Sequence, residues 1–282
     1  MELRLGPNIF DCSERTIVMG ILNVTPDSFS DGGQYDSLER AVDHALRMQD
    51  DGADIIDIGG ESTRPRGAYG QGAIEVPAEE EAKRIIPVIR QLKKERACLI
   101  SVDTYKSTVA QEALDAGADI INDISGMTFD SRMASVVARY DAAIVLMHIR
   151  GTPATMQQHP SYENVVEEVK NELRERIDRA HAAGIKTVIV DPGFGFGKNY
   201  THNLLLLKHL SALKDLQHPL LVGTSRKGFI GTATGAPIDD RVDGTGATMA
   251  IAIMNGANLI RVHDVRQMKR VAMMTDAILH AS

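Results

Sequence analysis

Short apolar runs alternate with longer amphipathic stretches along almost the whole chain. The apolar runs are rich in Val, Ile and Leu, as expected of strands buried on both faces, and they cover residues 16–23, 54–59, 98–104, 119–125, 142–148, 187–193, 219–225 and 259–264. Stretches with helical spacing follow them at 37–51, 79–95, 106–116, 130–139, 161–183, 202–213, 241–256 and 265–280. Eight strand–helix units predict an α/β protein with a (β/α)₈ barrel of the TIM type. The barrel is expected as one domain over residues 16–282, after a short N-terminal extension at 1–15, with a doubly wound open sheet as the alternative.

A glycine turn recurs where helical stretches lead into apolar runs. Gly52, Gly117 and Gly256 are each followed by Ala, then Asp or Asn, then two apolar residues. Glycine just past a helix end adopts a positive φ without strain, so each copy predicts the same helix-to-strand connection. The repetition supports a fold built from one unit used several times.

The composition narrows the class of protein. Of the 282 residues, 43% are hydrophobic and 24% are charged, which excludes a mainly disordered chain. A formal net charge of −7 disfavours nucleic acid or an anionic membrane as a partner. No apolar run is long enough to span a membrane, and the N-terminus lacks the pattern of a signal peptide. Two cysteines are too few for a disulfide framework, so a reducing cytoplasm is the expected compartment.

Polar residues stand where the predicted strands end. They are Asn23, Glu61 with Thr63, Asp103, Asn122 with Asp123, His148, Asp191, Ser225, and Arg261 with His263. In a barrel these carboxyl ends converge on the face that carries active sites. The pattern therefore predicts a functional site there, although single residues of this kind also serve as turn formers or helix caps.

The residue types indicate what such a site binds. Asp103, Asn122 and Asp191 offer oxygen acceptors to a flat, nitrogen-rich heterocycle, because an amine beside a ring N–H pairs with a carboxylate. Strand alternation puts Arg261 and His263 on one face, where they suit a diphosphate, unless Arg261 pairs with Asp264 or another aspartate. There is no HExxH motif and no cluster of His and Cys, so a protein-caged transition metal is not expected, whereas Mg²⁺ shared with a diphosphate is compatible.

Four loops add candidates at the same face. The segment 191–198 carries three glycines with Phe194 and Phe196, which predicts an aromatic lid, with core packing of one Phe as the alternative. The segment from Gly223 to Lys227 offers open N–H groups and a cation to an anion. The segments 23–33 and 61–65 have the composition of long loops that close over a site.

Seven strings together resemble the dihydropteroate synthase family. They are NVTPDSFSDGG (23–33), GGESTRP (59–65), SVDTYK (101–106), INDI (121–124), DPGFGFGKN (191–199), GTSRK (223–227) and RVHDV (261–265). The resemblance implies a transferase of folate biosynthesis, usually a homodimer, that joins 4-aminobenzoate to 6-hydroxymethyl-7,8-dihydropterin diphosphate with Mg²⁺. Dihydropteroate and diphosphate would be the products, and sulfonamides would compete with 4-aminobenzoate.

The resemblance also implies roles for individual residues. It assigns the pterin to Asp103, Asn122, Asp191 and Lys227, with Met147 and Phe196 nearby. It assigns the diphosphate to Thr63, Arg261, His263 and Asn23, with Asn23 also binding Mg²⁺, and the loop at Gly223 to substrate. It assigns 4-aminobenzoate to Phe29, Arg64, Pro65, Phe196 and Lys227, and it leaves Asp31 and Asp103 to stabilise a cationic intermediate.

Two departures from the family pattern keep other functions open. The stretch after Pro65 is several residues longer than usual, and Gly228 stands where Ser is common. A catalytically silent pterin-binding paralogue is one alternative, and a pterin-dependent methyltransferase is another, although the latter does not need Thr63, Arg261 and His263. A phosphosugar isomerase is disfavoured because no Glu or His base stands beside the phosphate-binding residues.

Overall fold

The computed structural model describes residues 1–6, 8–25, 34–62 and 75–281. Its strands are β1 (Glu2–Leu5), β2 (Asn8–Asp11), β3 (Ile17–Asn23), β4 (Ile55–Gly59), β5 (Leu99–Asp103), β6 (Ile120–Asp123), β7 (Ala143–Met147), β8 (Val188–Asp191), β9 (Leu221–Val222) and β10 (Leu259–Val262). Its α-helices are α1 (Gln34–Asp50), α2 (Ala78–Glu95), α3 (Ser107–Asp115), α4 (Met133–Arg139), α5 (Val165–Ala182), α6 (Tyr200–Lys208), α7 (Gly228–Thr234), α8 (Val242–Met254) and α9 (Val265–Leu279).

Strands β3 to β10 form a parallel barrel. Their order is β8-β7-β6-β5-β4-β3-β10-β9, and a parallel bridge between Val190 and Leu220 joins the two ends of the sheet. The helices surround this ring, and each apolar strand is buried between them and the barrel interior. The predicted (β/α)₈ barrel is therefore confirmed, and the doubly wound sheet is excluded.

The repeated glycine turn has the conformation that its sequence predicts. Gly52, Gly117 and Gly256 have φ values of 102°, 105° and 102°, a region that residues with a Cβ rarely occupy. The backbone N–H of the residue after each glycine donates to a carbonyl in the last turn of the preceding helix. The chain thus leaves three helices in one way and enters the next strand in register.

The N-terminal extension is an antiparallel hairpin that covers one end of the barrel. Strand β1 pairs with β2, and Leu3, Leu5 and Cys12 are buried. They join one apolar cluster with residues from the amino-terminal halves of the barrel strands, among them Ile17, Met19, Ile55, Leu99, Ile120, Ile189, Leu221 and Leu259. The hairpin therefore closes the end of the barrel opposite to the predicted site.

The sequence pattern failed in the last third of the barrel. The predicted helix at 202–213 is α6 followed by a 3₁₀ segment, Leu210–Leu216, and the predicted strand at 219–225 shortens to β9. Helix α7 was not predicted, because its sequence GFIGTAT contains two Gly and two Thr, which are poor helix formers. Among the residues that the structure describes, no helix combines the length and apolarity that crossing a bilayer requires.

Candidate active site

A cavity of about 680 Å³ opens at the carboxyl ends of the barrel strands. Its wall includes the predicted residues Asn23, Asp103, Asn122, Met147, Asp191, Phe196, Gly223, Lys227, Arg261 and His263. The folded chain thus brings together predicted side chains from seven different strands or their following loops. Predictions for Phe29, Asp31, Thr63, Arg64 and Pro65 fall outside the described residues.

Arg261 forms the charged centre of the cavity. Its Nε lies 2.6 Å from Oδ2 of Asp57, and its Nη2 lies 2.7 Å from Oδ2 of Asp103. The alternative of a salt bridge to an aspartate is thus confirmed, although the partner is not Asp264, whose Oδ2 instead accepts from Nε of Arg226 at 3.0 Å. One cation therefore holds two carboxylates that reach it from neighbouring strands.

Burial and charge change the acidity of this group. Burial, opposed by the charge of Arg261 and supported by that of the nearby Asp57, raises the pKa of Asp103 to about 7. Burial also acts to lower the pKa of Arg261, but Asp57 and Asp103 outweigh it and the net shift is upward. Asp103 can therefore change its protonation state near neutral pH, whereas Arg261 stays charged.

Hydrogen bonds fix the side chains of Asp191 and Asn122. Oδ1 of Asp191 accepts the Gly193 N–H at 2.7 Å, and burial raises the pKa of Asp191. Gly193 has φ 69°, and a Cβ there would lie 1.9 Å from the carbonyl oxygen of His148, so only glycine fits this turn. Nδ2 of Asn122 donates to Oδ2 of Asp57 at 3.1 Å.

The two phenylalanines after β8 have different roles. Phe194 is 1% exposed and packs against Phe229, with ring centroids 6.3 Å apart, so it belongs mainly to the core. Phe196 lines the cavity beside Met147, and Nζ of Lys227 lies 4.2 Å from the centroid of its ring. Both phenylalanines line the cavity, and Phe194 also packs in the core, as the alternative expected, so the described loop forms a side wall of the cavity.

His263 is oriented by Ser225. The Ser225 Oγ accepts the backbone N–H of His263 at 3.1 Å and lies 3.0 Å from Nδ1 of the same residue. A hydroxyl that already accepts one N–H can donate its own proton to Nδ1, which places the ring proton of a neutral His263 on Nε2. The ring then acts as a hydrogen-bond donor through Nε2.

Two of the polar strand ends do not face the cavity. Asp123 accepts the backbone N–H groups of Ser125 and Met127, both at 2.8 Å, and so holds its own turn. His148 is fully buried between Nζ of Lys198, 2.9 Å from Nδ1, and Oε2 of Glu172, 3.0 Å from Nε2. Burial lowers the pKa of His148 to about 3, so its ring is neutral. The expectation that all these polar residues converge is wrong for both, because alternation turns them away from Asn122 and Met147.

A buried ionic cluster around Glu61, which lines the cavity, was not predicted as a unit. Lys106 binds the carboxylates of Glu61 and Glu81, and Oη of Tyr105 donates to Oε1 of Glu61 at 2.8 Å. The N–H of Val76 donates to Oε2 of Glu61 at 3.1 Å. Glu61 therefore ties the end of β4 to the start of α2 and α3.

Asp57 was also missed, although it touches two predicted site residues. It lies in the middle of β4, is fully buried and is absent from the cavity wall. A charged residue within the apolar string IIDIG is the signal that could have identified it, because an unpaired carboxylate in a parallel strand is unfavourable.

Comparison with known proteins assigns the family. The family model described as "Pterin binding enzyme" matches residues 19–263. The dihydropteroate synthase of Bacillus subtilis (strain 168) is 49% identical over 276 residues, covering 97% of this chain and 92% of that protein. The structure of the Yersinia pestis dihydropteroate synthase with a sulfonamide drug complex has a TM-score of 0.92 and 43% identity, covering 100% of both chains. That of the Xanthomonas albilineans dihydropteroate synthase with 4-aminobenzoic acid has a TM-score of 0.90 and 43% identity, covering 100% of this chain and 99% of that one. The chain therefore belongs to the dihydropteroate synthase family, the pterin-binding transferases of folate biosynthesis.

Proposed function

We propose that the cavity binds 6-hydroxymethyl-7,8-dihydropterin diphosphate and 4-aminobenzoate and joins them into 7,8-dihydropteroate. The observation that carries this proposal is the meeting of Asp103, Asn122 and Asp191 with Arg261 in one cavity. Acceptors for a heterocycle and a cation for a diphosphate then lie within one substrate length of each other. The 4-aminobenzoic acid in the structure of the Xanthomonas albilineans relative supports the second substrate.

The pterin end is assigned to the deep part of the cavity. Asp191 and Asn122 are 6% and 3% exposed, so a ligand that reaches them is almost fully removed from water. There, carboxylate and amide oxygens pair with amine and ring N–H groups, and leaving such acceptors without a partner is unfavourable. Met147, Phe196 and Lys227 provide the surfaces against which a flat ring packs.

The diphosphate end is assigned to Arg261 and His263. The guanidinium supplies charge, and Nε2 of His263 supplies a hydrogen-bond donor once Ser225 holds Nδ1. Gly223 also lines the cavity, and a Cβ built on it would lie 3.7 Å from Cβ of Arg261. Thr63 completes this group in the family pattern.

The residues at Asn23 fit a magnesium ion. Asn23 ends β3 and lines the cavity, and its side-chain amide offers the kind of oxygen donor that Mg²⁺ prefers. Among the described residues, no three His, Cys, Asp or Glu side chains gather to hold a metal. Asn23 would thus hold Mg²⁺ together with substrate oxygens and water. When bound, the ion would neutralise diphosphate charge.

The reaction is assigned to a dissociative substitution. An aniline nitrogen is a weak nucleophile, so the bond between the pterin methylene carbon and the diphosphate oxygen breaks early, and its electron pair leaves with the diphosphate. Arg261 and His263 stabilise the departing anion, while Asp103 and Asp31 stabilise the cationic methylene carbon. The nitrogen of 4-aminobenzoate then forms the new C–N bond and loses one proton to solvent.

The aminobenzoate end is assigned to the mouth of the cavity. Lys227 and Phe196, which lie together with Nζ 4.2 Å from the ring centroid, would border both substrates, and Lys227 would offer its cation to the carboxylate. Phe29, Arg64 and Pro65 complete this subsite in the family pattern. Sulfonamides would compete for it because they share the aniline group.

Diphosphate release tests the reaction directly. The purified chain with Mg²⁺ and dihydropterin diphosphate is expected to release diphosphate and form dihydropteroate only when 4-aminobenzoate is added. Tight binding of dihydropterin diphosphate without release would instead identify a silent pterin-binding paralogue.

We also propose a homodimer that forms through α8 and α9. These neighbouring helices expose Ile251, Met254, Met273, Met274 and Ile278, each of which is between 47% and 61% exposed. Such a contiguous apolar surface is unfavourable in water and is typical of an interface. A second copy of the chain is the expected partner, because a two-fold contact lets one apolar patch cover its equal.

A pair of double variants tests this interface. Met274→Glu with Ile278→Glu places two charges one helical turn apart on α9 and is expected to halve the mass measured by ultracentrifugation. Leu204→Glu with Leu205→Glu on α6 is the control, because these apolar residues are also exposed, at 38% and 40%, but lie outside the patch. A wild-type monomer, or equal dissociation of both variants, would contradict the assignment.

A further inference from the structure

Asp57 sits beneath the cavity and binds two of its walls. The carboxylate is fully buried, and its Oδ2 accepts from Nε of Arg261 at 2.6 Å and from Nδ2 of Asn122 at 3.1 Å. Asp57 does not line the cavity, so a substrate would meet its two partners and not Asp57 itself.

The bond to Asn122 decides which amide atom a ligand meets. An ionised carboxylate can only accept, so the Asn122 amide must turn its NH₂ group toward Asp57. Oδ1 is then the acceptor that Asn122 offers. Without Asp57 the amide could present either its NH₂ group or its oxygen, and an acceptor matched to a pterin N–H would no longer be guaranteed.

The bond to Arg261 is one that substrate need not break. Nη2 of Arg261 binds the carboxylate of Asp103, which lines the cavity. In the proposed function this carboxylate binds the pterin. Asp57 holds Nε from outside the cavity and can keep it when Asp103 changes partner. Nη1 takes part in neither bond and can meet an anionic substrate.

The buried position of the Asp57 carboxylate is unfavourable for the stability of the fold. Oδ1 of Asp57 has no hydrogen-bond partner among the described residues, although it is buried. Its strand neighbours Ile55, Ile56 and Ile58 are fully buried and apolar. A half-satisfied buried carboxylate lowers stability, so its presence calls for a benefit at the site.

We propose that Asp57 is a positioning residue that fixes Asn122 as an acceptor and holds Arg261 toward the diphosphate. The inference rests on the proposed function, since it concerns the recognition of dihydropterin diphosphate. Asp57 acts on this substrate through its two partners and leaves 4-aminobenzoate untouched.

The test compares Asp57→Asn with Ser101→Ala. Ser101 is the register partner of Asp57 on β5, is equally buried, and has a hydroxyl without a partner among the described residues. We expect Asp57→Asn to raise the Kd for dihydropterin diphosphate, measured by calorimetry, about 30-fold. The KM for 4-aminobenzoate should stay within about threefold, and Ser101→Ala should change neither constant more than about twofold.

Non-additivity separates positioning from general damage. In an Asn122→Ala background, adding Asp57→Asn is expected to weaken binding by less than about tenfold, because one of its two routes has been removed. Asp57→Ser serves if Asp57→Asn does not fold, and the same selective loss is expected.

Three outcomes would overturn the proposal. The first is unchanged binding by a folded Asp57 variant. The second is an equal loss for both substrates together with a lower melting temperature, which would indicate a structural role. The third is a wild-type protein that does not bind dihydropterin diphosphate, which would overturn the proposed function as well.

Discussion

The two ends of the barrel differ in the side chains that they bury, which are apolar at one end and partly charged at the other. At the amino-terminal end, the hairpin β1–β2 covers a cluster of Leu, Ile, Val and Met side chains in which Leu5, Ile17 and Met19 are fully buried. At the carboxyl-terminal end, Arg261 and Asp103 line the cavity with 20% and 13% of their side chains exposed, and the fully buried Asp57 lies behind them. Apolar burial stabilises the fold, whereas buried charge lowers its stability and provides groups that can bind a ligand. The barrel therefore places the side chains that stabilise it at one end and the groups that can bind a ligand at the other.

Removing a charge from the cavity should give the largest effect. Asp103→Asn is expected to lower kcat/KM about a thousandfold, since it removes an acceptor and a stabilising charge from the proposed site. The free energy of unfolding should change by less than about 1 kcal/mol, because Arg261 keeps Asp57 as a partner. Steady-state kinetics and urea unfolding measure the two.

Asp11→Asn is the control for this variant, because Asp11 lies in the hairpin at the other end and is 42% exposed. It should leave kcat/KM unchanged. A folded Asp103→Asn enzyme with a tenth or more of wild-type kcat/KM would remove Asp103 from the proposed mechanism.

Removing apolar volume from the hairpin should have the reverse effect. Leu5 is fully buried, so Leu5→Ala leaves a cavity and should lower the free energy of unfolding by about 3 kcal/mol. The kcat of the folded variant should stay within about twofold of wild type, because the site lies at the other end. Urea unfolding and activity at 25 °C test both statements, and a tenfold loss of kcat would show that the two ends are coupled.

The free energy of unfolding should depend on pH through Asp103, at the carboxyl-terminal end of the barrel. Because the pKa of Asp103 is raised from 3.8 to about 7, the folded protein holds a proton between these values that the unfolded chain has lost. Stability from this group is therefore present at low pH and is lost as pH rises. Between pH 5 and 7, wild type should lose about 1 kcal/mol per pH unit relative to Asp103→Asn, measured by urea unfolding.

The activity should change with pH in the opposite direction to the stability. The ionised carboxylate is the acceptor and the stabilising charge, so kcat/KM for dihydropterin diphosphate should increase as pH rises through about 7. Parallel stability curves for wild type and Asp103→Asn would contradict the raised pKa.

Gly228 offers the smallest change, at the mouth of the cavity. It begins α7 and lines the cavity where the family commonly has Ser. Gly228→Ser should lower the KM for 4-aminobenzoate about fivefold, since one added hydrogen bond to its carboxylate contributes about 1 kcal/mol. Gly228→Ala is the matched control because it adds a Cβ without a hydroxyl. Equal KM values for Gly228→Ser and wild type would place the carboxylate elsewhere.

The sequence supported the fold because its evidence is local and repeated. Apolar runs, helical spacing and the glycine turns at Gly52, Gly117 and Gly256 each predict one element, and regular alternation predicts the barrel. The pattern failed at α7, where Gly and Thr give no helical signal, and at the hairpin, whose two four-residue strands are too short to stand out. These elements owe their structure to packing against the barrel.

Local patterns in the sequence were enough to predict the barrel, the end at which polar residues gather, and ten of the residues that line the cavity. Which of the polar residues face the cavity depends on the folded backbone. Asn122 and Asp123 are adjacent in sequence, yet one lines the cavity and the other binds its own turn. The pairing of Arg261 with Asp57 spans 204 residues and exists because β3 pairs with both β4 and β10 and so brings these two strands close together. Local patterns carry no information on such contacts, since a charged side chain acquires its partner and its pKa only when the chain folds around it.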